Sequence, residues 1–169
     1  MPVKRAIATM VACALLVAAC EVSRSSGVDV SPTSSAAIGD ACAMLTMAQV
    51  GSAISFTVNT QTVADAGRTC SWTFADPNNM AAFNTARLTL IDHATFSAMR
   101  AATDSGTTIT PVASLGDAAF YTVVSGQGTS LNVEKGSRAF TVAVSGSAYT
   151  PAQAQTDEAT LAGFVLAGI

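Results

Sequence analysis

Hydrophobic and polar positions divide the chain into three stretches. Ala6 to Leu16 form a mainly apolar run behind Lys4 and Arg5. Residues 21–38 are dominated by Ser, Gly, Pro and Thr and hold no apolar period. From about residue 40 to the end, helical and strand spacings alternate.

The third stretch predicts its elements one by one. Thr46-Met47-Ala48-Gln49 fits a capping box, with Leu45 and Val50 as the flanking apolar pair, so a helix runs to about Ile54. Phe56 to Val63 and Thr69 to Ala75 read as strands around the turn Ala64-Asp65-Ala66-Gly67. In the second of them Cys70, Trp72 and Phe74 face away from Ser71 and Thr73. Asp76-Pro77-Asn78-Asn79 breaks the pattern, and Thr85 to Ile91 follows as a strand with Ala86, Leu88 and Leu90 on one face.

Asp92 caps a second helix reaching about Thr103, with Ile91 and Phe96 as its flanking apolar pair and Phe96 and Met99 spaced to face a core. Strands are then predicted at Thr107–Ala113, Ala118–Val124, Thr129–Glu134 and Arg138–Ser145. Pro111 makes the first of these an edge strand. The short loops between the others make an antiparallel meander. Thr150-Pro151-Ala152-Gln153 opens a last helix, with Ala154, Leu161, Phe164 and Val165 as its apolar stripe and Asp157-Glu158 as a solvated face. The expected fold is α+β: an antiparallel sheet with helices packed on one face, in the order helix, strands, helix, strands, helix.

The apolar run near the start is too short for a membrane span, which needs about 20 residues. With Lys4 and Arg5 before it and Val17-Ala18-Ala19-Cys20 after it, the pattern is that of a bacterial lipoprotein signal. Residues 1–19 would be cut away and the Cys20 thiol would carry a diacylglyceryl group, which suffices as an anchor because two acyl chains hold a membrane stably. An uncut anchor, or a plain secretory signal with Cys20 an ordinary thiol, are the alternatives. Glu21 in place of Asp after the lipidated cysteine favours onward transport to an outer membrane in a host that has two. Residues 20–39 then form a flexible tether and residues 40–169 one domain of ordinary size. The expected location is the cell membrane or outer membrane, lipid-anchored and extracytoplasmic.

Of the four cysteines, Cys13 leaves with the signal and Cys20 takes the lipid. Cys42 and Cys70 remain, an even pair in an oxidising compartment, and a disulfide is the expected outcome. Their spacing is unlike C-x-x-C and His93 is the only histidine, so neither a metal nor a redox pair is expected.

The mature chain keeps six of the eight basic residues against all eleven acids, a net charge of −5. Nucleic acid is disfavoured as a partner, since phosphate contacts need clustered Lys and Arg. A polybasic membrane patch is absent for the same reason.

Chemistry is sparse. Asp92-His93 is the only neighbouring carboxylate–imidazole pair, without a Gly-x-Ser-x-Gly elbow, and His93 reads as a solvent-exposed residue in the first turn of a helix. Gly126-Gln127-Gly128 lies between two strands and reads as a hairpin turn rather than a phosphate loop. Trp72, Phe74, Phe120 and Tyr121 are candidates to line a ligand pocket, but in a chain this poor in aromatics they read as core. Phe120 and Tyr121 are consecutive, so one ring must face away from the main core. Tyr121, and secondarily Tyr149, are the candidate binding surface.

Four motifs carry a family resemblance. They are Cys42-Ala43-Met44-Leu45-Thr46 leading to Gln49-Val50, Cys70-Ser71-Trp72, Leu115-Gly116-Asp117-Ala118-Ala119-Phe120-Tyr121, and the closing hairpin and helix. Over about residues 40–169 the chain resembles the bacterial lipoproteins catalogued as domain of unknown function 3558, which more often have Glu at the position of Gln49. The resemblance implies a lipid-anchored, disulfide-bearing extracytoplasmic domain, and brings no activity and no catalytic residues.

The expected function is therefore a non-enzymatic envelope lipoprotein that binds a small apolar ligand or a partner protein, with no cofactor. The alternatives are an envelope hydrolase using His93, or a structural surface lipoprotein without a ligand.

Overall fold

The computed structural model describes residues 39–76, 79–102, 104 and 106–169. The expected signal, the expected lipidation site Cys20 and the expected tether up to residue 38 lie outside the described residues. The elements run α1 (Ala41–Met44), α2 (Met47–Ile54), β1 (Val58–Ala64), β2 (Thr69–Asp76), β3 (Asn79–Ile91), α3 (His93–Ala101), β4 (Thr107–Val112), β5 (Ala118–Val124), β6 (Gly128–Lys135), β7 (Arg138–Ser145) and α4 (Pro151–Ala167). Among the described residues seven strands form one antiparallel sheet, in the order β1-β2-β3-β7-β6-β5-β4. The fold is α+β and mostly sheet. The expected helix–strand order holds, with the one-turn helix α1 added.

Caps set the helix starts. Thr46 accepts the Gln49 N–H at 3.2 Å while the Gln49 side chain accepts the Thr46 N–H at 2.9 Å. Thr150 and Gln153 repeat this at 3.3 and 3.1 Å, with Pro151 as the first helical residue of α4. Asp92 accepts the Thr95 N–H at 2.7 Å and starts α3. The missed helix α1 has its own cap, Asp40, which accepts the Cys42 N–H at 2.9 Å. β3 begins at Asn79 rather than at Thr85, because it pairs with β2 almost from the hairpin onward.

Residues opposite one another in an antiparallel ladder share a face. Phe74, Trp72 and Cys70 of β2 align across the sheet with Ala86 and Leu88, then Val144 and Val142, then Leu131. This is the main apolar face. Leu45, Val50 and Ile54 from the α1–α2 segment and Ala154, Leu161, Ala162 and Val165 from α4 pack on it. Trp72 is fully buried there, and its ring N–H donates to the Gln61 side-chain oxygen at 3.3 Å.

The expectation that all helices share one face is corrected for α3. Phe120 is in register with Asn132 and Thr141, on the side away from the main core. Phe96 of α3 covers it, with ring centroids 5.1 Å apart, and Ala139, Ile91 and Met99 complete this second cluster. The reason is topological. The chain leaves β3 at the centre of the sheet and has to cross β7, β6 and β5 to begin β4 at the far edge. α4 already covers β6 and β7 on the main face, so the crossover passes over the other one.

The expected solvated face of α4 is also corrected. Glu158 is 0% exposed. It stands four residues after Ala154 and three before Leu161, so helical spacing places it within the apolar stripe. Phe164, expected on that stripe, is half-buried at its margin, and Ala162 is buried in the stripe with Leu161 and Val165.

The Leu115-Gly116-Asp117 motif is a brace. Gly116 has φ +66°, and a Cβ there would run into the Glu134 carbonyl, so the backbone passes β6 where only glycine fits. The Asp117 N–H then donates to that carbonyl at 2.8 Å. The Asp117 carboxylate accepts the Gly136 N–H at 2.7 Å and pairs with Lys135 at 2.9 Å, which ties the loop before β5 to the β6–β7 turn. The Gly136 N–H, followed by Lys135, holds the Asp117 carboxyl below its usual range.

Candidate functional site

β5 sends Phe120 and Tyr121 to opposite faces. The ring turned away from the main core is Phe120, and α3 buries it. The expected exposed ring is therefore not found. Tyr121 is half-buried on the main face, at the margin where α4 stops covering the sheet. Its hydroxyl donates to the Gln155 carbonyl of α4 at 2.7 Å, which ties the ring to the helix. Tyr121, Ala152, Gln155, Thr156, Ala159 and Thr160 line an open trough of about 590 Å³. Its walls carry hydroxyl, amide and methyl groups and no ionised side chain.

On the same helix, Glu158 is turned into the core. Leu131↔Val142 is the last β6–β7 pair toward this end of the sheet. In the same register Thr129 and Val144 would come next. The Glu158 carboxylate stands in for that pair: it accepts the Val144 N–H at 3.0 Å and the Thr129 hydroxyl at 3.1 and 3.2 Å. Burial pushes its carboxyl up to about 7, the two hydrogen bonds act in the opposite direction, and the Asp157 charge adds to the rise. Asp157 is itself raised by burial. Burial, then the charge of Glu158, raises the Tyr121 hydroxyl. Sequence reasoning missed Glu158. The available signal was its i−4 and i+3 relation to Ala154 and Leu161.

Tyr149, the secondary candidate, is not at this trough. Its ring stands edge-on to Phe56 and Phe74, with centroids 6.1 and 6.0 Å away, and the two phenylalanines stack at 5.4 Å. Burial raises its hydroxyl. Tyr149 therefore belongs to the packing at one end of the core, beside Asn84, whose side-chain oxygen accepts the Ala148 N–H at 3.3 Å.

Cys42 and Cys70 are joined, with Cα atoms 5.0 Å apart, within the usual range for a disulfide. The bridge fastens α1 to the buried side of β2, two residues from Trp72.

His93 is exposed, as expected, with 75% of its side chain open to solvent. Its partner is not Asp92. That carboxylate caps α3, and the Thr95 N–H holds it below the ordinary range. Nδ1 of His93 instead contacts the Glu134 carboxylate of β6, and Nε2 lies 3.4 Å from the Ser97 hydroxyl one turn along α3. A proton on Nδ1 leaves Nε2 to accept from Ser97, the polarity of a serine–histidine–carboxylate relay. Ser97 sits within a helix, where its N–H is taken by the backbone, so this N–H cannot bind an oxyanion. Gly126-Gln127-Gly128 is the β5–β6 hairpin turn. Among the described residues no group of His, Cys, Asp and Glu is arranged to hold a metal ion.

The class this geometry defines is an α+β domain with a single antiparallel sheet, a disulfide-fastened helical cap and an uncharged trough along α4. Compared with protein-family models, curated proteins and solved structures, the chain matches none. No described helix is long and apolar enough to cross a membrane.

Proposed function

We propose that this protein is a lipid-anchored envelope lipoprotein whose domain binds a partner protein along the trough between Tyr121 and α4. The observation that carries the reading is the trough itself: about 590 Å³, open, and walled by Tyr121, Gln155, Thr156 and small side chains. A small-molecule site encloses most of its ligand. An open trough of mixed polar and apolar character suits a side chain or segment of another protein better. The Val17-Ala18-Ala19-Cys20 pattern and the resemblance to the lipoprotein family support the anchor, which would hold the domain within tether reach of a membrane.

The test is a photo-crosslinking amino acid placed at Thr156 in cells. A discrete protein adduct that disappears with Ala159→Arg is the expected result. A Cys20→Ser arm is expected to leave the membrane fraction and lose the adduct. Absence of any protein adduct from Thr156 removes the trough as a protein-binding site.

A second reading, an envelope hydrolase, is favoured by the Ser97–His93–Glu134 alignment. It requires hydrolysis of a simple aryl ester that falls to background in both His93→Ala and Ser97→Ala. Equal turnover in the variants and the unmodified protein eliminates it.

A further inference from the structure

The two edges of the sheet are built differently. β4 carries Pro111 within the strand, a residue that blunts an edge. β1, Val-Asn-Thr-Gln-Thr-Val-Ala, carries no proline and no charge, and Asn59 to Ala64 are all exposed. Val63 is 54% exposed, the most exposed large hydrophobic residue described. The one irregularity lies between Val58 and Thr60, and from Thr60 to Ala64 the ladder with β2 is regular.

The ladder also shows which backbone groups no described strand takes up. The Leu90 N–H donates to the Arg68 carbonyl at 2.8 Å, one step beyond the Thr69↔Thr89 pair. Bonding alternates along an antiparallel strand. Residues 70, 72 and 74 of β2 therefore bond toward β3, and Thr69, Ser71 and Thr73 bond toward β1. Their opposites are Ala64, Thr62 and Thr60. It follows that Gln61 and Val63 direct their N–H and C=O groups outward, away from the sheet.

We propose that β1 is a self-association edge, on which β1 of a second copy pairs antiparallel about a two-fold axis through Thr62. In this register the Gln61 and Val63 backbone groups exchange hydrogen bonds with the partner's Val63 and the partner's Gln61. Thr62 faces the partner's Thr62, Thr60 faces the partner's Ala64, and Asn59 faces the partner's Asp65. No like charges meet. The register overlaps the whole regular segment Thr60–Ala64, and a shift either way loses pairs. These features point to a second copy as the occupant: the strand is uncharged and complementary to itself under two-fold rotation. One strand edge buries much less than the roughly 1,600 Å² of a standard stable interface, so the dimer is weak. Both copies are acidic, so salt strengthens it.

Sedimentation of the full chain from low to high micromolar concentration, at low and elevated salt, tests this. The unmodified chain is expected to shift toward dimer with concentration. Val63→Pro removes an outward N–H and no internal ladder bond, and is expected to weaken the dimer at least about tenfold. Its melting temperature and circular dichroism show whether the fold is kept. Val63→Lys, which places a charge on the edge without constraining the backbone, is the second variant and is expected to weaken the dimer likewise. A chain that stays monomeric at high concentration and high salt overturns the proposal. So does a dimer that persists unchanged in both folded variants.

Discussion

Replacing Cys42 and Cys70 together by alanine is expected to lower stability by about 3–4 kcal/mol, from the entropy of a closed loop spanning 28 residues. The loop is only part of the argument. α1 has four residues, too few to be stable alone. Through it the bridge holds Ala41 and Leu45 against the sheet, and α2 follows directly with Val50 and Ile54. Cys70 is fully buried on the same face as Trp72, so opening the bridge loosens the lid over the largest buried side chain. Urea unfolding reads the effect as a lower midpoint, with a slope equal or slightly steeper because the unlinked denatured chain is more open. An unchanged midpoint would mean that packing alone holds α1 and α2 on the sheet.

Glu158 is expected to give the protein an inverted pH profile. Burial pushes its folded carboxyl up to about 7, from an ordinary value of 4.5. Below both values the folded and unfolded chains are equally protonated there and the group contributes nothing. Between them the unfolded chain releases a proton that the folded chain retains, so stability falls as pH rises, and above about 7 the loss is complete. The full span is on the order of 3 kcal/mol. Asp157, raised by burial, acts with the same sign. Asp92 and Asp117, both lowered by hydrogen bonds, act oppositely and lose their contribution only in more acidic solution.

Thermal melts across this range check the profile. The unmodified protein is expected to be most stable on the acid side of neutrality. Glu158→Gln keeps an oxygen for the Val144 N–H and the Thr129 hydroxyl, and is expected to flatten the fall and melt higher above neutrality. A profile that keeps its slope in the Gln variant would assign the effect to another group.

Much of this architecture is legible locally. The capping residues Thr46, Asp92 and Thr150 place three helix starts, because a cap is a contact between residues three apart. β5 and β7 run between the bounds that alternation predicts, since their sides face different surroundings. The pairing of Cys42 with Cys70 is what remains once Cys13 is assigned to an expected signal and Cys20 to an expected lipid. The candidate site is much less legible. Tyr121 is marked by its place next to Phe120, but the face it takes depends on which side α3 covers. His93 stands out as the single histidine, yet its carboxylate comes from β6, 41 residues away. Glu158 looks like surface beside Asp157, because charge suggests solvent and only helical phase says otherwise.

By itself the sequence determined the α+β class, the helix starts, most strand bounds, the disulfide pair and the acidic, sparsely charged surface. These are matters of short-range spacing and composition. Tertiary structure alone decided that α3 crosses the opposite face, that Glu158 stands in for a strand pair between Thr129 and Val144, that Tyr121 borders a trough, and that β1 is an edge strand among the described residues. Each depends on which strands lie side by side. Strand order comes from contacts between residues far apart in the chain, so local pattern cannot specify it.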